Sequence, residues 1–221
     1  MKTILFDMDG VLVATERMHY EALNRVLDRA VGRTMDWGYY TQFIGSTTTF
    51  FWSTLDRDFG LNGQTDALHQ AYTQQKIEFL KERGHTPVDG SPELVRALAR
   101  RGYRMAVASS SPMYEITEVV TALGLDGCFE FLISGETVEH PKPAPDIFLQ
   151  AAAHMGVQPE DCIVIEDSSN GVRAAKAAGM TCIALRNPDS GNQDLTPADL
   201  IIDALGDALH QIAGLTYLAT D

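Results

Sequence analysis

Cysteine is scarce. Cys128, Cys162 and Cys182 are the only three, an odd number with no Cys-x-x-Cys spacing, all in apolar surroundings. That argues against a disulfide framework or a cysteine-ligated zinc site, and predicts reduced core residues in a cytoplasmic protein. Positive charge is scarce as well: 17 Lys and Arg stand against 30 Asp and Glu, a formal net charge of -13. Such a surface disfavours nucleic acid held through its phosphates and disfavours an anionic membrane. An anionic substrate would enter against this field unless a metal or a few placed cations overcame it. No apolar run approaches a membrane-spanning length, and there is no internal repeat or low-complexity segment. The chain opens Met1-Lys2-Thr3 and enters an apolar run at once, so no charged-then-apolar secretory leader is expected.

What is present is enough to fold. The 221 residues are 45% hydrophobic and 21% charged, which suits one large domain with an insertion or two small ones, built around a proper core. The most informative stretch is residues 3–10, where Ile4, Leu5 and Phe6 read as a buried strand that delivers Asp7 and Asp9 into a turn at Gly10. In an open parallel sheet, ligands collect beyond the carboxyl ends of the strands. Two residues apart on an extended chain, the two carboxylates leave on the same side, an unfavourable pairing unless a cation or a proton relieves it. The plainer alternative is a turn and a helix cap.

Helical spacing over residues 16–30 gives an amphipathic helix, and residues 31–81 show no convincing strand but suit several short helices rich in Trp37, Tyr40, Phe43, Phe50, Phe51 and Trp52. Strand and helix then alternate. Helices are expected at 92–101 (capped by Ser91), 116–123, 147–155 and 172–178, and strands at 103–108, 129–133, 162–165, 181–185 and 200–202, with a last helix near the end. Repeated alternation calls for a parallel sheet covered on both faces. The predicted fold is therefore α/β, a doubly wound parallel sheet with an inserted helical cap: residues 1–13 and 83–221 form the core and 14–82 the cap.

The strand ends, read alone, carry Asp7 and Asp9, then Ser109 and Ser110, then Glu166 and Asp167, with Lys142 in the proline-rich loop before the last pair. Oxygen ligands of this kind suit a hard cation such as Mg2+, which keeps waters and substrate phosphate in its shell. Hydroxyls, a backbone N–H and an ammonium suit a phosphate. Taken singly, each has an ordinary explanation: the serines a capping turn, Lys142 an exposed loop residue, Glu166-Asp167-Ser168 a helix N-terminus complementing its dipole.

In this order, Asp7-x-Asp9-Gly10, the strand into Ser109-Ser110, Lys142-Pro-Ala-Pro-Asp146 and Glu166-Asp-Ser-x-x-Gly171 resemble the four motifs of the haloacid dehalogenase superfamily phosphohydrolases, of the branch that includes beta-phosphoglucomutase. The resemblance implies that Asp7 is a nucleophile forming an aspartyl-phosphate, and that Asp9 is the general acid and base. It implies that Asp7, the Asp9 backbone carbonyl and Asp167 hold Mg2+, with Glu166 a ligand or a support, while Lys142 and Ser109 hold the phosphate. An unperturbed aspartate titrates near ~3.9, so Asp7 is expected to be ionised at neutral pH.

Thr15 and His19 match a Thr-x-x-x-His feature of the mutases, which would place His19 against substrate or Asp9; a packing histidine is the other reading. Ala14 stands where this branch commonly has an aspartate. In the mutases an arginine follows the glycine of the loop that is Gly45-Ser46-Thr47-Thr48-Thr49 here, and grips a second phosphate; a threonine cannot replace that charged fork. Lys76 lies near a basic position of the mutase cap and is kept as a substrate-binding candidate beside the plainer reading of a solvated helix lysine. The cap aromatics are read mainly as the cap's own core. The expectation is a Mg2+-dependent phosphatase of a small phosphorylated metabolite, a sugar phosphate, acting as a monomer. A hexose-phosphate mutase or a non-catalytic phosphate binder are the alternatives.

Overall fold

The computed structural model describes residues 2–217 apart from residues 45 and 47. Two of the five residues in the 45–49 loop, Gly45 and Thr47, thus lie outside the described residues. Six strands form one parallel sheet: β1 (Thr3–Phe6), β2 (Met105–Ser109), β3 (Phe131–Ser134), β4 (Cys162–Glu166), β5 (Thr181–Leu185) and β6 (Leu200–Ile202), in the order β3-β2-β1-β4-β5-β6. The order reverses between β1 and β4, so the crevice beyond their carboxyl ends is where such a sheet binds its ligand.

Burial follows the period-two rule of a strand. Ile4 and Phe6, Met105 and Val107, Ile163 and Ile165, and Ile183 face one layer. It is covered by α5 (Ser91–Arg100), α6 (Met113–Ala122) and α9 (Leu205–Tyr217). Leu5, Ala106 and Ala108, Cys162 and Val164, and Cys182 face the other, covered by α7 (Asp146–Met155) and α8 (Ser169–Ala177). Every residue of β1, β2 and β4 is buried, which explains why these strands read as continuous apolar runs.

Between β1 and β2 come α1 (Glu16–Val31), α2 (Trp37–Thr41), α3 (Thr48–Phe59), α4 (Thr65–Arg83) and then α5. The first four share a third hydrophobic cluster, centred on Leu23, Leu27, Leu55 and Leu61. Tyr40 and Trp52 belong to this cluster and Trp37 and Phe51 pack against it, as expected for most of these aromatics, whereas Phe50 is 57% exposed. At 19 residues, α4 is also longer than the short helices expected here. The two connections to the sheet run side by side: Ala14 N–H donates to Thr86 O (2.8 Å) and Val88 N–H to Leu12 O (3.1 Å).

Two further expectations need correction. Ser91 does not cap α5; Gly90 does, in a left-handed conformation, and the buried Ser91 hydroxyl donates to Leu12 O at 2.7 Å, tying the helix to the turn after β1. All three cysteines are free thiols, but Cys128 is only half-buried, packed at the margin of the core.

Candidate active site

β1 ends at Phe6, and the next backbone N–H, that of Asp7, donates to Ile165 O on β4 at 2.9 Å. The chain then coils: Leu12 and Val13 N–H both donate to Met8 O, and Gly10 N–H to Val13 O. Gly10 has φ +81°, and a side chain there would overlap the Asp167 carboxylate. Conformation and space therefore both require glycine.

Lys142 reaches into this turn from the loop before α7. Its Nζ donates to Asp7 Oδ1 (2.6 Å), Glu166 Oε1 (2.9 Å) and Ala108 O (3.1 Å), so all three ammonium hydrogens have partners. Burial opposes the Lys142 charge, but Asp7 and Glu166 outweigh it and raise its pKa. Glu166 is occupied on both oxygens: Oε2 accepts from Asp167 N–H (2.8 Å), Ser168 N–H (2.8 Å) and the Ser168 hydroxyl (3.0 Å). It acts here as a brace for Lys142 and for the turn after β4.

Gly171, in the first turn of α8, leaves the space that the Glu166 carboxylate fills. Gly171→Ala is therefore expected to lower stability by about 1–3 kcal/mol, the usual cost of overpacking. A thermal denaturation midpoint unchanged from wild type would contradict this packing.

Asp9 is held apart from that cluster. The Thr15 hydroxyl donates to its Oδ1 at 2.9 Å and the Ser111 hydroxyl to its Oδ2 at 2.7 Å. Both its carboxylate oxygens are thus held by neutral hydroxyls, although its charge still reaches Asp7. The Ser109 hydroxyl, fully buried, accepts from Ser111 N–H (3.0 Å) and keeps its own hydrogen to donate; Ser110 is exposed at the mouth.

Asp7, Glu166 and Asp167 place one carboxylate oxygen each within 4.8 Å of one another, all buried. Burial, reinforced by Glu166 and Asp9 and opposed by Lys142, pushes Asp7 up to about 8. Without a metal, these surroundings work against the ionised form expected for Asp7. Asp167 is raised as well, by burial first and then by Glu166 and Asp7. One ammonium does not balance three buried carboxylates, and the Asp7 Oδ2 oxygen receives no hydrogen bond from the described residues. A hard divalent cation fits this donor set and this excess of negative charge.

The substrate-binding candidates on α1 and α4, His19 and Lys76, have other partners. The His19 ring packs edge-on to Tyr72, with centroids 6.1 Å apart, and burial, aided by Lys76, pushes it down to about 3, so it is neutral. Lys76 is not the solvated lysine of the plainer reading: its side chain is 15% exposed and its Nζ lies 3.4 Å from Glu115 Oε1, joining α4 to α6.

Three residues escaped the sequence reading. Ser111, next to the Ser109-Ser110 pair singled out in the sequence, is the serine whose hydroxyl reaches Asp9. Ser190 donates to Asp167 Oδ2, and Asn187 donates to Gly10 O at 2.9 Å, both from the loop after β5. The Asn187-Pro188 pair at that strand end was the available signal.

Comparison with known proteins accords with this geometry. The family model of the haloacid dehalogenase-like hydrolases matches residues 1–179. The chain belongs to that family. The hydrolase is 34% identical over 184 residues to the fructose-1-phosphate phosphatase YqaB of Escherichia coli, covering 83% of this chain and 95% of that one. A variant of CbbY from Rhodobacter sphaeroides, in complex with xylulose-1,5-bisphosphate, superposes with a TM-score of 0.78 at 27% identity, covering 94% of this hydrolase and 96% of that chain. The beta-phosphoglucomutase of Clostridium difficile shares the fold, with a TM-score of 0.77 at 22% identity over 99% of each chain. No helix among the described residues of the hydrolase is long and apolar enough to cross a membrane.

Proposed function

We propose that this hydrolase is a Mg2+-dependent phosphatase that cleaves a small phosphorylated metabolite, a sugar phosphate, through a phosphoryl group carried on Asp7. The observation that carries the reading is the separation of the two aspartates: Asp7 faces Lys142, Glu166 and Asp167, while Asp9 is bound by Thr15 and Ser111. Two like acids two residues apart in environments this different can take different roles.

In the first step an Asp7 carboxylate oxygen attacks phosphorus, the bond from phosphorus to the leaving oxygen breaks, and Asp9 gives that oxygen its proton. In the second, Asp9 takes a proton from water, the water oxygen attacks phosphorus, and the Asp7 carboxylate is released with inorganic phosphate. Lys142, the Ser109 hydroxyl and the Ser110 N–H hold the phosphate oxygens in line. Thr15 and Ser111 keep Asp9 aimed at the leaving group. When bound by Asp7, the Asp9 carbonyl and Asp167, Mg2+ supplies positive charge that lessens repulsion between the nucleophile and a phosphate dianion. Residues 14–82 serve as the cap that closes over the reaction and excludes water during the first step. The contacts of Lys76 with Glu115 (3.4 Å) and Arg17 with Asp189 (2.8 Å) join this segment to the core and favour that closed arrangement.

Hydrolysis is favoured over the mutase reaction because residues 45–49 contain no arginine to hold a second phosphate. A screen of phosphorylated metabolites, each with Mg2+ and with a chelator, tests the reading. Phosphate release is expected to fall by about 10²-fold or more on chelation and to return with Mg2+. With beta-glucose 1-phosphate, rapid appearance of glucose 6-phosphate without free phosphate would replace the phosphatase by a mutase. Failure to turn over any ester would leave only a phosphate-binding protein.

A further inference from the structure

Glu16 is the first residue of α1 and directly follows Thr15, whose hydroxyl holds Asp9. It lies close enough to Asp9 and Asp189 to feel their charge, and no step above uses it. Protein surrounds it closely, yet it remains half-buried toward solvent, as a side chain lining a cleft does. The Tyr40 hydroxyl donates to its Oε2 at 2.5 Å, whereas Oε1 receives no hydrogen bond and no Lys or Arg pairs with it among the described residues. Burial, with Asp9 and Asp189 adding repulsion, pushes Glu16 up to about 7. A carboxyl kept in such surroundings without a cation is costly, and in a structural role an apolar residue would serve the cap better.

The neighbours define what could meet it. The Tyr72 hydroxyl lies in the field of Glu16, Glu115 and Asp9. Lys76 is already engaged by Glu115, and His19 is neutral. A second phosphate here would face Glu16 and Glu115 with its nearest cation shared, whereas a neutral hydroxyl would find an acceptor with an open lone pair.

We infer that Glu16, oriented by Tyr40, is a specificity-determining residue that accepts a hydrogen bond from a leaving-group hydroxyl, selecting monophosphates of neutral polyhydroxylated compounds. The inference rests on the phosphatase reading. Its physical basis is that a site built to bind a hydroxyl rejects an analogue lacking it, because the buried acceptor is then left unpaired.

The test compares kcat/KM for the fastest of fructose 1-phosphate, glucose 6-phosphate and glycerol 1-phosphate with that for p-nitrophenyl phosphate, which offers no hydroxyl. Wild type should prefer the polyol ester. Glu16→Gln should lose roughly 10- to 100-fold on the polyol ester and less than about threefold on the aryl ester, and Tyr40→Phe should shift the ratio in the same direction by less. Equal losses on both esters would make Glu16 a support for Asp9 or for the fold, and overturn the inference. So would no loss on either, or a wild-type preference for the aryl ester. If no ester is turned over, the phosphatase reading itself fails and takes this inference with it.

Discussion

Asp7→Asn is expected to reduce turnover by roughly 10⁴-fold or more, the scale on which loss of a nucleophile is felt, while leaving the metal-free protein at least as stable as wild type at pH 7. The two halves of that expectation have one source. Burial, Glu166 and Asp9 raise Asp7 from an ordinary 3.8 to about 8 despite Lys142. A carboxyl raised on folding favours its neutral form in the native state, so its ionisation works against the fold increasingly from pH 4 upward, reaching the full cost above pH 8. Asparagine keeps the shape and an acceptor for Lys142, and removes that charge. Stability traded for reactivity is the mark of a functional site. Denaturation midpoints and turnover measured on one preparation check it. A variant that loses turnover only because it unfolds would contradict the assignment.

Lys142→Met should act in the opposite direction on stability. Lys142 is the only cation bonded to Asp7 and Glu166 among the described residues, and its side chain is 7% exposed. Removing one partner of a buried ion pair leaves an uncompensated charge and typically costs 3–5 kcal/mol. For a chain of this size that lowers the denaturation midpoint by about 6–20 °C. Turnover should fall about 10³-fold, since both the phosphate contact and the Asp7 geometry are lost. Mg2+ should restore part of the stability, because it enters the same carboxylate cluster, but not the turnover. A variant as stable as wild type without metal would mean that Lys142 does not neutralise this site.

Much of the fold was legible because its signals are local. β5 and β6 match their expected spans, 181–185 and 200–202, because a short apolar run bounded by turn residues reads the same in sequence and in structure. Asp7, Glu166 and Asp167 were legible because each stands at or next to a strand end, where sheet topology brings them together, and Lys142 because it sits in the proline-rich loop before α7. What stayed hidden depends on distant chain segments. Ser111 bonds Asp9 across 102 positions and Ser190 bonds Asp167 across 23, and no local pattern marks one serine of three as the one that reaches. The Asp7 shift is a property of burial, so a peptide reference value missed it. Ser91 resembles a cap by composition, yet its hydroxyl serves the turn after β1 because the fold brings Leu12 O within 2.7 Å. Lys76 looked solvated because helix spacing cannot show that Glu115 waits on another layer.

The most direct measurement mixes the protein with Mg2+ and its best phosphate ester, quenches in acid within one turnover, and maps the phosphorylated peptide by mass spectrometry. One phosphoryl group on Asp7, formed and lost at the rate of turnover and missing from Asp7→Asn, is the predicted result. Phosphate on a different residue, or full-rate turnover in the asparagine variant, would contradict it.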